Sequence, residues 1–243
     1  NYSAEVPGGV MVLTAAADVQ DYRVEIEIRG WGPGEESWII EHKIINGRLL
    51  EEKIQGILDD YLLRTWRHES GILMGLSRVA IDSGGHYTSQ GYEFCKARES
   101  RGVYAVKGSS NQKGDVLDGK ITRRKDAVFQ MVGVTACKDI LYGRLSNTGS
   151  DSGRIHFPMS LDKEFFKQYF AEKLKVYKSS RAYELMPGRR NEAIDLHSYN
   201  LAALRLYNPD WDDLRRRGIG GMDRTRLVYK HHSRDKHCDE SIK

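Results

Sequence analysis

Two short apolar runs, far apart in the chain, each break on an aspartate. Val12-Leu13-Thr14-Ala15-Ala16-Ala17 ends on Asp18, and Val79-Ala80-Ile81 ends on Asp82, with Ser83, Gly84 and Gly85 following. Short apolar runs bounded by turn formers read as buried strands. A carboxylate at the mouth of a buried strand is costly unless something cationic sits opposite it. A third acidic pair, Glu192 and Asp195, lies in Asn191-Glu192-Ala193-Ile194-Asp195-Leu196-His197. These two are three residues apart on a predicted helix, so both can project to one face. Acids on three separate apolar elements point to one metal site assembled by folding.

The segments between these acids set the fold class. Residues 23–31 alternate polar and apolar side chains, the period of a half-buried strand. Residues 32–36 form a turn by composition, and Ser37 to Ile45 returns as a third strand, so 12–45 reads as an antiparallel meander. Apolar positions Leu50, Ile54, Ile57, Leu58, Tyr61, Leu62 and Trp66 predict a long amphipathic helix over about 49–69. A strand over 78–82, a helix over 89–98 and a strand over 102–107 follow. Residues 108–125, rich in Ser, Gly, Asp, Lys and Arg, read as a mobile loop. Next come a strand over 128–134, a helix over 135–145, a turn over 147–153 and an edge strand over 155–158 closed by Pro158. Helices are expected over 161–177 and 190–207. This order predicts an α/β fold, a mixed sheet with helices on its faces. It fills one domain, residues 1–208, with a basic, flexible tail over 209–243.

The formal net charge of +4 is unevenly placed. Residues 215–243 hold nine Lys/Arg against four Asp/Glu, and residues 101–130 hold seven against three. Such patches suit a polyanion lying across one face, although a solvated loop and tail would account for the same residues. No apolar run approaches the roughly 18 residues of a membrane span. Three cysteines, Cys95, Cys137 and Cys238, are too few and too scattered for a disulfide framework or a zinc knuckle, which points to a reducing cytoplasm. The start at Asn1, with neither an initiator Met nor a signal-peptide pattern, fits an excised or processed piece. No G-x-x-x-x-G-K-[ST] run is present, so a P-loop ATPase is not part of this chain.

Converging carboxylates suit Mg²⁺ or Mn²⁺, hard cations that prefer oxygen ligands. A pair of such ions can activate a water and stabilise the leaving oxygen of a phosphodiester. Each acid also has a plainer explanation. Asp18 with Asp21 would serve a strand-end turn, and Asp82 would close an Asx turn. Glu192 and Asp195, near Arg189 and Arg190, would favour a solvated helix start. The remaining polar groups carry less. His86 and His197 read as a turn residue and an off-face residue, Ser83 and Ser198 lack a base partner, and His231, His232, His237 and Cys238 lack ordered metal-ligand spacing. Lys107, at a strand end, reads equally as a group that neutralises a phosphate and as a solvated strand-end lysine.

With these residues in view, the chain resembles the C-terminal nuclease portion of the large terminase subunit of tailed bacteriophages, GpA family. The matching pieces are residues 13–20, Gly30-Trp31-Gly32-Pro33-Gly34-Glu35-Glu36-Ser37-Trp38, Ile81-Asp82-Ser83-Gly84-Gly85-His86-Tyr87-Thr88 and Tyr104-Ala105-Val106-Lys107-Gly108. Further on come Ile155-His156-Phe157-Pro158, residues 191–196 and Leu201-Ala202-Ala203-Leu204-Arg205, so the resemblance covers roughly 12–207. It implies an RNase H-like fold and a metal-dependent endonuclease that cuts concatemeric viral DNA during packaging in the host-cell cytoplasm. Asp18 and Asp82 would be metal ligands on neighbouring strands, and the third acid would be Asp195 or Glu192. The cofactor would be Mg²⁺ or Mn²⁺, as two ions. Lys107, with Lys120, Arg123, Arg124 and Lys125, would steady the DNA backbone. The implied partners are double-stranded DNA, the terminase small subunit and the portal of the procapsid, with no membrane. Two rivals stand beside this reading: another RNase H-like enzyme of the resolvase or transposase type, and a non-catalytic portal-docking or DNA-holding module with structural acids.

Overall fold

β1 (Val12–Val19), β2 (Arg23–Trp31) and β3 (Ser37–Asn46) form the antiparallel meander anticipated from the sequence. They belong to a computed structural model that describes residues 2, 4–84, 88–111, 114–125, 127–146, 152–178 and 180–219. After β3 come α1 (Glu52–Leu62), the short strands β4 (Trp66–Arg67) and β5 (Leu73–Met74), β6 (Arg78–Asp82) and α2 (Thr88–Lys96). Then follow β7 (Val103–Gly108), β8 (Thr122–Arg123), β9 (Val128–Val132), α3 (Val134–Leu145) and β10 (Ile155–His156). The described chain closes with α4 (Lys163–Gln168), β11 (Glu172–Val176), β12 (Arg181–Leu185), α5 (Glu192–Tyr207) and α6 (Trp211–Arg217). Eight strands share one sheet in the order β10-β3-β2-β1-β6-β7-β9-β8. β1, β6, β7 and β9 run parallel, so the antiparallel meander continues into parallel strands, with helices on both faces. This is the α/β layout expected from the sequence, a mixed sheet whose antiparallel meander leads into parallel strands.

Strand alternation assigns the two faces. Leu13, Ala15 and Ala17 of β1, Val79 and Ile81 of β6, and Val24, Ile26 and Ile28 of β2 pack with α1 and α2 in one apolar layer. Val12 and Ala16 of β1, Ala80 of β6, and Val106 of β7 pack instead with α3 and α5. Because successive side chains point to opposite faces, Asp18 and Asp82 fall on the α5 side. α5 is buried at 12 of its 16 positions and is the central helix of that face.

Three elements depart from the sequence reading. The helix expected over 49–69 stops at Leu62, because Trp66 leaves the helical path, is fully buried, and donates its indole N–H to Glu41 of β3 at 3.1 Å. The helix expected over 161–177 ends at Gln168 and a β-hairpin takes its place. Helical spacing of Phe165, Phe166 and Tyr169 carried the expectation too far, across Glu172-Lys173-Leu174-Lys175-Val176, which alternates with period two. The segment expected to be a loop over 108–125 contains edge strand β8 and is pinned to β9 by Asp118 N–H to the Met131 carbonyl at 3.0 Å.

β2 differs in a more consequential way. Its polar positions were expected at a solvated face, yet Glu25, Glu27 and Arg29 are fully buried beneath α5 and its neighbours. Arg29 pairs with Glu27 at 2.8 Å, and Asn200 of α5 donates to Glu27 at 3.0 Å. Thr14 accepts from the Trp31 indole N–H at 2.8 Å and donates to Asn200 at 2.7 Å. Thr14, Glu27, Arg29, Trp31 and Asn200 bond one another across this layer, which lowers the cost of their burial, although Glu27 Oε2 has no hydrogen-bond partner among the described residues. Beyond Pro209, Asp210 caps α6 by accepting from the N–H groups of Asp212 and Asp213, and Trp211 and Leu214 pack on the α5 layer. Residues 220–243 of the expected tail lie outside the described residues. Among the described residues, no helix is long and apolar enough to cross a membrane.

Candidate active site

The last registered pair between β1 and β6 is Ala17 with Ile81, so Asp18 and Asp82 emerge side by side at the carboxyl ends of adjacent parallel strands. Open α/β sheets bind ligands at that edge. A cleft of about 480 Å³ opens there, lined by Asp18, Gln20, Asp21, Asp82, Lys107 and Tyr199 among others. The two aspartates predicted from the sequence and the strand-end lysine therefore share one cleft.

Burial dominates the electrostatics of the two aspartates. Asp18 is only 6% exposed. Burial pushes its carboxyl up to about 7, against a hydrogen bond from Gln20 Nε2 at 2.8 Å, and the negative charges of Asp82, Asp195 and Glu192 add to the rise. Burial also raises Asp82, opposed by the Gly84 N–H at 2.9 Å, the Tyr199 hydroxyl and the Lys107 charge. The Gly84 contact is an Asx turn, so the plainer explanation of Asp82 and its place in the cleft hold together. The glycine that closes the turn fixes the carboxylate that faces the opening. Tyr199 itself is held well above the ordinary tyrosine range by burial and by the surrounding Asp82, Asp195 and Asp18, so it stays a donor.

Glu192 and Asp195 occupy the first turn of α5, as expected, but neither lines the cleft and neither is solvated in the way a free helix start would be. Glu192 is 6% exposed and clamped by Arg23 at 2.7 Å and Arg190 at 3.2 Å, both of which also hold buried Glu25. Asp195 binds Lys138 Nζ at 3.0 Å and the Asn191 side-chain amide at 3.0 Å. Lys138, from α3, is nearly buried and bonds Glu172 at 2.7 Å as well. Burial works against its charge, but Asp195 and Glu172 outweigh that and raise its pKa. Burial likewise raises Asp195, opposed by Lys138. Among the described residues, no three acidic, His or Cys side chains come close enough to hold a metal ion by themselves.

The cations expected along residues 120–125 are placed apart from Lys107. Arg123 pairs in register with Val128 at the start of β9, while Lys107 pairs with Met131. Strand spacing puts them roughly 14 Å apart. Arg123 is bound to Glu99, and Lys125 offers its carbonyl to Lys96 Nζ at 2.8 Å. Lys120 and Arg124 are exposed. His197 is fully buried beside Tyr169, with burial and the charges of Arg29 and Arg144 driving its pKa well below 6.5. Ser83 and Ser198 donate to the carbonyls of Val106 and Ile194, so neither is a nucleophile. His86, His231, His232, His237 and Cys238 lie outside the described residues. Sequence reasoning missed Gln20, Lys138 and Tyr199. Tyr199 was within reach of it, since it follows Asp195 by four residues on one helix face; Lys138 came from another helix and left no local signal.

With this geometry in place, comparison with known proteins decides the kinship. The family model described as terminase large subunit gpA, endonuclease domain, matches residues 1–215. The chain belongs to the gpA terminase large-subunit family. The terminase large subunit of Escherichia phage lambda is 34% identical over 222 residues, covering 87% of this chain and 35% of the relative. That of Enterobacteria phage P21 is 34% identical over 224 residues, covering 86% of this chain and 35% of the relative. The chain thus spans about a third of the length of these gpA relatives. Among solved structures, the nuclease domain of the large terminase subunit gp2 of bacterial virus Sf6, solved with manganese, aligns over 81% of this chain and 89% of that domain, at 12% identity and a TM-score of 0.47. The gpA resemblance read from residues 12–207 is borne out, and its matched span reaches further in both directions.

Proposed function

We propose that this gpA-family domain is a divalent-metal-dependent DNA endonuclease that cuts concatemeric phage DNA during packaging, in the cytoplasm of the infected host. The observation that carries the proposal is the pairing of Asp18 and Asp82 at adjacent strand ends in an open cleft, with Lys107 on its rim. Two hard-oxygen donors, one of them with its carboxyl pushed up to about 7 by burial and by its acidic neighbours, fit Mg²⁺ or Mn²⁺. Such ions need only one or two protein carboxylates when substrate phosphate and water complete their shell. Asp18 and Asp82 would hold them. Asp195 is the better third acid than Glu192, because it shares a helix face with Tyr199 and feels the charge of Asp82, whereas Glu192 is clamped by two arginines. Two bound ions would supply charge stabilisation at the phosphate and an activated water.

The chain's own residues do the positioning. Lys107 offers its charge to the phosphate beside the two aspartates, and Gln20 and the Gly84 N–H orient their carboxylates. Lys120, Arg123, Arg124 and Lys125 lie farther along the duplex track and contribute affinity rather than chemistry. Double-stranded DNA is the substrate, and the terminase small subunit and the portal of the procapsid are partners of the full-length protein. Residues 1–208 carry the nuclease, α6 packs on them through Trp211 and Leu214, and the basic segment that follows is a docking or DNA-contacting element.

Plasmid cleavage with Mn²⁺ tests the proposal. Wild type should nick and linearise the plasmid, EDTA should stop it, and Asp82→Asn should lower the rate by at least a hundredfold. Undiminished cutting by pure Asp82→Asn protein would refute the metal site. Wild type that neither cuts nor binds Mn²⁺ would leave a docking module as the function.

A further inference from the structure

Tyr199 lines the cleft with its polar end while its ring belongs to the apolar layer that joins α5 to the sheet. Only 7% of the residue is exposed. Its hydroxyl shares this cleft with the Asp82 carboxylate and interacts with it, and Asp82 Oδ1 accepts the Gly84 N–H at 2.9 Å. A carboxylate offers about four lone-pair directions. The Gly84 N–H, on the turn after β6, takes one of these, and the Tyr199 hydroxyl, brought in by α5, is placed to take a second and leave the rest for the cleft beside Asp18. The ring cannot swing away, because Tyr199 sits in the buried run of α5 from Leu196 to Leu204. Asp195 is one helical turn earlier, so the same rigid helix that brings Tyr199 into the cleft with Asp82 also carries the third acid.

We propose that Tyr199 is a positioning residue for the divalent cation: its hydroxyl holds the Asp82 carboxylate in the orientation that receives the ion, and α5 thereby couples Asp82 to Asp195. The inference rests on the metal-dependent reading above. Outer-shell hydrogen bonds to a ligating carboxylate are worth 10–100-fold in metal affinity in comparable sites. Phenylalanine keeps the ring and its packing and removes only the donor.

Mn²⁺ affinity measured by isothermal titration calorimetry, without DNA, provides a readout independent of cleavage. Tyr199→Phe should melt within a few degrees of wild type yet bind Mn²⁺ about 10–100-fold more weakly. In an Asp82→Asn background, the same change should have no further effect. Equal affinity of Tyr199→Phe and wild type would overturn the role of Tyr199 while leaving the metal site standing. A loss of the same size with and without Asp82 would also overturn it, since the hydroxyl would not be acting through that carboxylate. Wild type that binds no Mn²⁺ would overturn the metal reading and this inference together.

Discussion

Replacing Asp18 by asparagine should make the metal-free protein more stable at pH 8 than the wild type. The Asp18 carboxyl is pushed from an ordinary 3.8 up to about 7 by burial and by its acidic neighbours. A rise of that size corresponds to roughly 4 kcal/mol as an upper bound, at about 1.4 kcal/mol per pH unit. The sign follows from proton linkage. Between pH 3.8 and 7 the folded protein keeps a proton that the unfolded chain has released, so stability falls as pH rises through this window. The favourable state is fully present below 3.8 and fully lost above 7. Asparagine has nearly the same shape, carries no charge at any pH, and keeps an oxygen to accept the Gln20 amide now 2.8 Å away. The advantage of Asp18→Asn should therefore be near zero at pH 4 and grow to at most ~4 kcal/mol at pH 8. For a domain of this size that is up to roughly 8–16 °C in Tm. Circular dichroism melts of both proteins in EDTA at the two pH values measure it, and effects common to both proteins cancel. Mn²⁺ should reverse the order by stabilising wild type more than the variant. A variant no more stable at pH 8, or equally stabilised at both pH values, would refute the buried-charge argument.

Lys138→Met leaves Asp195 and Glu172 without their shared cation in a buried position, and urea denaturation should show a loss of about 3–5 kcal/mol; a loss under about 1 kcal/mol would mean that this network carries little. Lys107→Ala should lower the cleavage rate at saturating DNA. Joint neutralisation of Lys120, Arg124 and Lys125 should instead weaken binding across all sequences and flatten its salt dependence, by about one in slope for each phosphate no longer neutralised. Fluorescence anisotropy at several salt concentrations alongside single-turnover cleavage separates the two, and a rate effect from the distant trio at saturation would overturn the division.

The sheet was legible because strand alternation and strand ends are local signals. Asp18 and Asp82 stood out since each interrupts an apolar run, and the meander at 12–45 needed only short strand patterns and the two turns between them. The hairpin at 172–185 was misread because helical spacing of aromatics in α4 runs directly into it, and a six-residue helix leaves too few positions to mark its own end. Trp66 satisfied the helical period of α1 and still left the helix, because a buried indole with a carboxylate partner on β3 is worth more than another helical turn. The burial of Glu25, Glu27 and Arg29 was hidden for a related reason. Alternating polar residues look the same whether their face meets water or a helix that supplies partners.

By itself, the sequence determined which residues end the buried strands, the succession of the central strands along the chain, and the acidic pair at the start of α5, since each depends on side chains only a few positions apart. It also carried the gpA resemblance, which rests on motif order. Only the tertiary structure decided that Asp18 and Asp82 share a cleft with Lys107 and Tyr199, that Glu192 is neutralised by Arg23 and Arg190, and that Asp195 is held by Lys138. Those partnerships join residues more than a hundred positions apart or on separate elements, and the energy of a buried charge depends on the nearest opposite charge in space. Local pattern carries no record of that distance.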